Sequence, residues 1–197
     1  MEIIVKKLSK SYGSLSVLSE VSLELKGAEC YGLMGPSGIG KTTFLRLLMG
    51  LERPDSGCII YGEYGTKRPD ISAVFQEDRL CGQFSAFENI RMAVGRSRTD
   101  EEIKREMQRI LPEEALIKPV SELSGGMKRR TAILRALLAP SALLIMDEPF
   151  TGLDRELKGE VIRYVRKMQQ GRTLILATHQ EEEIDLLGGK VIRLEDT

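Results

Sequence analysis

Apolar and polar residues alternate along residues 2–8 and again along 17–25, the period-two pattern of half-buried strands. The polar, turn-like stretch 10–14 between them predicts an antiparallel pair. Residues 29–34 form a short apolar strand that runs directly into a glycine-rich stretch. The spacing then turns helical over 42–51 and ends near Gly50. Two further short strands are predicted at 57–62 and 71–75, separated by the polar, glycine-containing segment 62–70.

From 77 to 138 the pattern is mostly helical. Thr99 and Glu102 have the spacing of a capping box, which opens a helix continuing to about Ile110 and stopped by Pro112. A second helix begins near Ser124 and runs to Ala139, where Pro140 ends it. Residues 142–147 are then apolar almost without interruption, as in a central parallel strand covered on both faces. A helix from about Asp154 to Gln169 ends at Gly171. It is followed by a buried strand at 173–178, a short acidic helix and a last strand at 190–194. Strands alternating with helices predict one α/β domain over 1–197. Its core is expected to comprise 1–76 and 139–197, with a helical insertion at about 77–138.

Composition narrows this picture without redirecting it. Lys plus Arg equals Asp plus Glu, 29 of each, so no global field steers the chain to nucleic acid. Cys30, Cys58 and Cys81 match no metal-ligand or redox spacing, and an odd, scattered set predicts reduced thiols in a cytosolic setting. No apolar run approaches the ~20 residues of a membrane-spanning helix. The first ten residues carry no apolar signal core, so any membrane role requires another chain.

The candidate chemistry begins where the third strand meets the first helix. Gly35-Pro36-Ser37-Gly38-Ile39-Gly40-Lys41-Thr42-Thr43 satisfies the phosphate-binding pattern GxxxxGK[ST]. Glycines allow successive N–H groups to point at phosphate oxygens, and the helix N-terminus adds positive potential. Lys41 is expected to reach the β- and γ-phosphates and Thr42 to ligate Mg²⁺. Asp147 and Glu148 follow the apolar strand, where open parallel sheets bind ligands. Asp147 is the expected Mg²⁺ holder and Glu148 the expected general base for an attacking water.

Ser124-Gly125-Gly126 precedes the helix that runs to Ala139. A hydroxyl and two glycine N–H groups at a helix start form a second phosphate-binding device. A one-site kinase has no use for two. Two charge runs, Lys128-Arg129-Arg130 and Glu181-Glu182-Glu183, are expected to be solvated.

The ordered set resembles the nucleotide-binding subunit of ABC transporters over essentially the whole chain. GPSGIGKTT at 35–43 resembles Walker A, LLIMDEP at 143–149 resembles Walker B, and LSGGM at 123–127 resembles the family signature LSGGQ. Gln76 resembles the Q-loop glutamine, Gly152-Leu153-Asp154 the D-loop, His179 the switch histidine and Tyr12 the adenine-stacking aromatic. The resemblance implies a P-loop fold of the ABC ATPase type, with a mostly parallel core sheet, an N-terminal antiparallel β part and an inserted helical subdomain.

It also implies a head-to-tail dimer, homo- or heteromeric, with two ATPs sandwiched between subunits. Each ATP would touch residues 35–43, Asp147, Glu148, Gln76 and His179 of one chain, with Gln76 touching Mg²⁺ and water. Ser124, Gly125, Gly126 and Asp154 would come from the other chain. The implied partners are transmembrane permease subunits and a solute-binding protein, with the chain on the cytoplasmic face of the membrane and no nucleic acid involved.

Met127 departs from the signature glutamine, as in ATPases of nitrate, bicarbonate or sulfonate importers, which 76–80 and 85–89 also resemble. Cys81-Gly82-Gln83 departs from that group's apolar stretch, in the loop expected to meet the membrane partner. The chain stops soon after its last strand, so no C-terminal regulatory domain is expected. The resemblance implies an ATP-binding and hydrolysing subunit that powers solute transport through separate membrane subunits in a bacterial importer. The alternatives are a soluble ABC-type ATPase in assembly or repair, and an exporter ATPase.

Overall fold

A computed structural model describes residues 1–194. Strand β1 (Ile3–Tyr12), β2 (Leu15–Leu25) and β4 (Ser56–Tyr61) form an antiparallel sheet with β1 in the middle. The other sheet contains β3 (Cys30–Met34), β5 (Ile71–Val74), β6 (Leu143–Asp147), β7 (Thr173–Ala177) and β8 (Lys190–Arg193). Its order is β5-β6-β7-β3-β8, and every pairing is parallel. The helices are α1 (Lys41–Met49), α2 (Ala86–Val94), α3 (Asp100–Met107), α4 (Gly125–Leu138), α5 (Arg155–Gln169) and α6 (Glu181–Leu187).

The apolar runs at 142–147 and 173–178 separate into two faces by alternation. Leu144 and Met146 of β6, with Leu174 and Leu176 of β7, pack among residues of α2 to α5. Leu143, Ile145, Ile175 and Ala177 point the other way, onto α1 and the antiparallel sheet. Both faces are covered, so neither strand shows a polar side to water. Gly32 allows close approach on one face: a Cβ there would lie 2.1 Å from Ile184 Cδ1 of α6.

Two local expectations change. The turn expected at 10–14 shrinks to Gly13 and Ser14, because Tyr12 still pairs with Leu15. Ladder hydrogen bonds need no apolar side chains, so an exposed hairpin end can remain paired through polar residues. Helix α2 lies in a segment whose pattern is only mostly helical, although Ser85 and Glu88 form a capping box like that at Thr99 and Glu102. Asn89 of α2 ties down the preceding loop, accepting from Cys81 N–H and donating to the Cys81, Phe84 and Ser85 carbonyls.

The strand order places the site. The chain leaves the carboxyl ends of β3, β7, β6 and β5 at residues 35, 178, 148 and 75, and these strands are neighbours in the sheet. The glycine-rich loop, His179, the acidic pair and Gln76 therefore emerge at one edge, the position where open parallel sheets bind ligands.

Candidate functional site

The glycine-rich loop curls because its backbone is left-handed at Gly35, Gly38 and Gly40, with φ of 146°, 87° and 106°. Gly40 is the N-cap of α1, which has no side-chain cap and no acidic residue in its first turn. That helix start leaves N–H groups and positive potential available to an anion. Lys41 is buried and folds back, its Nζ donating to Gly35 O (2.7 Å) and Pro36 O (3.0 Å). An ammonium has three donors, so one is left for a phosphate oxygen.

Thr42 Oγ1 donates to Asp147 Oδ2 at 2.8 Å, joining the loop to the end of β6. A hydroxyl and a carboxylate beside a phosphate loop suit Mg²⁺, which is held by one or two protein oxygens together with phosphate and water. Among the described residues no group of three or more His, Cys, Asp or Glu forms a protein metal cage.

Glu148 has left-handed backbone (φ 48°), costly for a residue with a side chain, and its N–H donates to Ala177 O at 3.0 Å. This bond to β7 brings the carboxylate to the next strand end, where Glu148 Oε1 lies 2.9 Å from His179 Nε2. Thr151 Oγ1 approaches Glu148 Oε2 at 3.3 Å. Burial raises the affinity of the Glu148 carboxyl for its proton above the ordinary value, with the His179 ring opposing. A carboxylate raised in this way is a stronger base for water.

Ser37, Gly38, Gly40, Lys41, Thr42, Thr43, Gln76, Asp147, Glu148 and His179 line one cavity of about 710 Å³. Val17, Arg129 and Thr151 complete the wall. Tyr12 stands outside that wall at the end of β1, half-exposed, with its hydroxyl on the Glu52 carboxylate.

Ser124, Gly125, Gly126 and Asp154 do not line this cavity. Ser124 caps α4, its Oγ accepting from Met127 N–H at 3.3 Å, and Asp154 caps α5, its Oδ1 accepting from Leu157 N–H at 3.0 Å. Ser124, Gly125 and Asp154 are exposed. Gly126 faces Leu153 and the Gly152 carbonyl, which brings the two caps to one surface. Met127 turns its side chain toward the hydrophobic cluster and presents only backbone beside the cap.

One member of each charge run departs from the solvated face expected of it: Glu181 and Glu182 are exposed, but Glu183 and Arg129 are buried. Glu183 is 5% exposed: its Oε2 accepts from Thr178 Oγ1 and its Oε1 from Lys158 Nζ. Lys158 also donates to Gln180 Oε1, and Thr178 Oγ1 accepts from Gln180 N–H, so His179 sits in a loop tied to α5. Arg129 is 8% exposed, and Arg130 donates to the Gly126 and Ile110 carbonyls. Neighbours in sequence make a charge run, but tertiary acceptors decide which of its members are buried.

The ABC transporter family profile matches residues 18–151. The chain is 35% identical over 210 aligned residues to the sulfate/thiosulfate import ATP-binding protein CysA of Methylococcus capsulatus, covering 98% of this chain and 60% of that one. It is 36% identical over 200 to the Nod factor export ATP-binding protein I of Rhizobium etli, covering 95% of this chain and 63% of that one. The chain thus spans about three fifths of the length of these two relatives. The dimeric structure of a bacterial ABC transporter cassette superposes with a TM-score of 0.86 at 25% identity, over 97% of this chain and 93% of that one. The same cassette in a post-hydrolysis state bound to ADP and Pi superposes with a TM-score of 0.84.

Proposed function

This chain belongs to the ABC transporter family, and from that premise we propose that it binds and hydrolyses Mg-ATP to power solute passage through separate membrane subunits. The observation that supports this best is the separation of two phosphate-binding devices. Lys41, Thr42 and Glu148 share a cavity from which the exposed Ser124 and Gly125, and Gly126 beside them, are excluded. One chain therefore offers half of each of two sites, and we take a second copy of the chain to complete both.

In this reading, Lys41 and the N–H groups of 35–43 hold the phosphates. Thr42, Asp147 and Gln76 hold Mg²⁺, which neutralises charge on the phosphates when bound. Glu148 takes the proton of the attacking water, and His179 orients the Glu148 carboxylate and the γ-phosphate. Tyr12 stacks on the adenine after releasing Glu52. Asp154 meets the partner's site beside Ser124.

In this reading the core is 1–76 with 139–197, of which 195–197 lie outside the described residues, and 77–138 is the lobe that carries Ser124 to the neighbour. Phe84, in the loop after Gln76, and Met92, on α2, are both exposed and suit contact with an apolar membrane partner. No helix among the described residues is long and apolar enough to cross a membrane. In this reading the chain works at the inner face of the membrane, through permease subunits. Import, with a solute-binding protein outside, is supported by the resemblance at 76–80 and 85–89 and by the likeness to CysA. Export is the second reading, favoured by the likeness to the Nod factor protein.

Phosphate release from Mg-ATP tests the chemistry. Wild-type chain should turn over, and Glu148→Gln should reduce turnover at least about 100-fold while nucleotide still binds. Equal turnover in both overturns the assignment of the base. Solute accumulation in cells carrying Glu148→Gln separates the directions: failure to take up solute supports import, and failure to expel it supports export.

A further inference from the structure

Arg129 lies in the second turn of α4, five residues after Ser124, and its guanidinium is directed at the segment that follows β5. Nη1 donates to Phe75 O (2.7 Å) and Nη2 to Gln76 O (2.5 Å), while Nη1 also lies 3.2 Å from Asp78 Oδ1. Arg135, further along the same helix, donates to Arg79 O (2.7 Å) and Asp78 O (3.2 Å). One helix thus supplies donors to four of the five carbonyls between 75 and 79. The segment closes on itself as well, with the Arg79 guanidinium 3.9 Å over the Phe75 ring and Arg79 in left-handed backbone (φ 46°).

A loop that has left its sheet must find donors for its carbonyls. A guanidinium does this with a rigid planar fork, so two carbonyls bonded to one fork have fixed peptide planes. The planes fixed here are those on either side of the Gln76 Cα, and they set the direction in which the Gln76 side chain leaves the backbone. A lysine ammonium can bond two carbonyls, as Lys41 does, but on its flexible stem it lacks the planar fork that fixes both peptide planes. The neighbouring bases bond elsewhere, Lys128 donating to Ser121 O and Arg130 to Gly126 O and Ile110 O. Arg129 also lines the cavity next to Gln76, so its effect is delivered where nucleotide would sit.

We propose that Arg129 is a positioning residue for Gln76, holding the backbone from which that side chain reaches Mg²⁺ and the attacking water, and fixing it to the helix that starts at Ser124. The inference rests on the ATP-hydrolysis reading above. It predicts that displacement of α4 by a neighbour's nucleotide is felt at this chain's own Gln76.

The test is a double-mutant cycle on the full chain, read by phosphate release across a Mg²⁺ titration, by binding of a fluorescent ATP analogue and by melting. Arg129→Lys should lower kcat and raise the Mg²⁺ half-saturation, each about tenfold, a loss of about 1.4 kcal/mol in each case. Nucleotide affinity and melting temperature should stay near wild type. Arg129→Lys combined with Gln76→Ala should be no slower than Gln76→Ala alone, because both changes remove one function. If Arg129→Lys fails to fold, Arg129→Gln serves in its place.

Losses that multiply in the double variant would mean that Arg129 acts on nucleotide directly, and would overturn the proposal. So would a parallel fall in melting and affinity, or failure of both single variants to fold, which would make the residue structural. A wild-type chain that releases no phosphate overturns the hydrolysis reading itself, and this inference with it.

Discussion

Lys41 and Ser124 both stand at helix starts that the proposed reading assigns to phosphate, yet only Lys41 lines the cavity. Their variants should therefore fail differently. Lys41→Met should weaken Mg-ATP binding by about 10- to 100-fold, the worth of a charged hydrogen bond, in a fluorescence titration of monomer. Ser124→Ala should leave that affinity within about twofold while lowering turnover about tenfold, since its hydroxyl serves the neighbouring chain. A Ser124→Ala monomer that no longer binds ATP would place the signature in its own chain's site. Lys41, Thr42, Asp147, Glu148 and His179 are legible in the sequence because each stands at a fixed offset from an apolar strand that can itself be read. Arg129 and Glu183 are not. Their identities state a charge, and only the fold states that Gln76 O and Thr178 Oγ1 lie within reach.

At the scale of elements, apolar runs suffice to reveal β6 and β7, because each buries both faces and is apolar throughout most of its length. The hairpin end at residues 10–14 is harder, since exposed strand and turn share a polar composition. Helix α2 is detectable from the Ser85/Glu88 capping box alone. Packing between elements is close at β3 and α6. Gly32→Ala would force Ile184 to move and should destabilise the chain by about 1–3 kcal/mol in a urea titration. Unchanged stability would show that α6 shifts freely.

Acid sensitivity belongs to this scale too. Ser11 N–H and then Lys10 hold the Asp55 carboxyl below its usual value. Glu88 is lowered by the Ser85 N–H and then by the Ser85 hydroxyl. A carboxyl lowered on folding stabilises above its unfolded value, about 4, and that contribution disappears as pH falls through the folded value. The melting temperature should therefore drop below about pH 4, and Glu88→Gln should flatten the drop. An equal slope in wild type and variant would remove the capping box from the explanation.

For the whole molecule, the sheet order gathers four strand ends around one cavity, while the chain between β5 and β6 carries Ser124 outside it, as the proposed reciprocal site requires. The Glu148–His179 contact and the Lys158–Glu183 network tie the end of β6, the His179 loop and α5 together. Arg129 ties the Gln76 segment to α4. Nucleotide bound across two such molecules would thus engage these tied segments in both. Sedimentation velocity of Glu148→Gln tests that reciprocity most directly. Without nucleotide the chain should sediment as a 22.0 kDa monomer. With saturating Mg-ATP it should sediment at twice that mass, and Ser124→Arg in the same background should hold it at the monomer. A Glu148→Gln chain that binds Mg-ATP fully and remains a monomer would contradict the account.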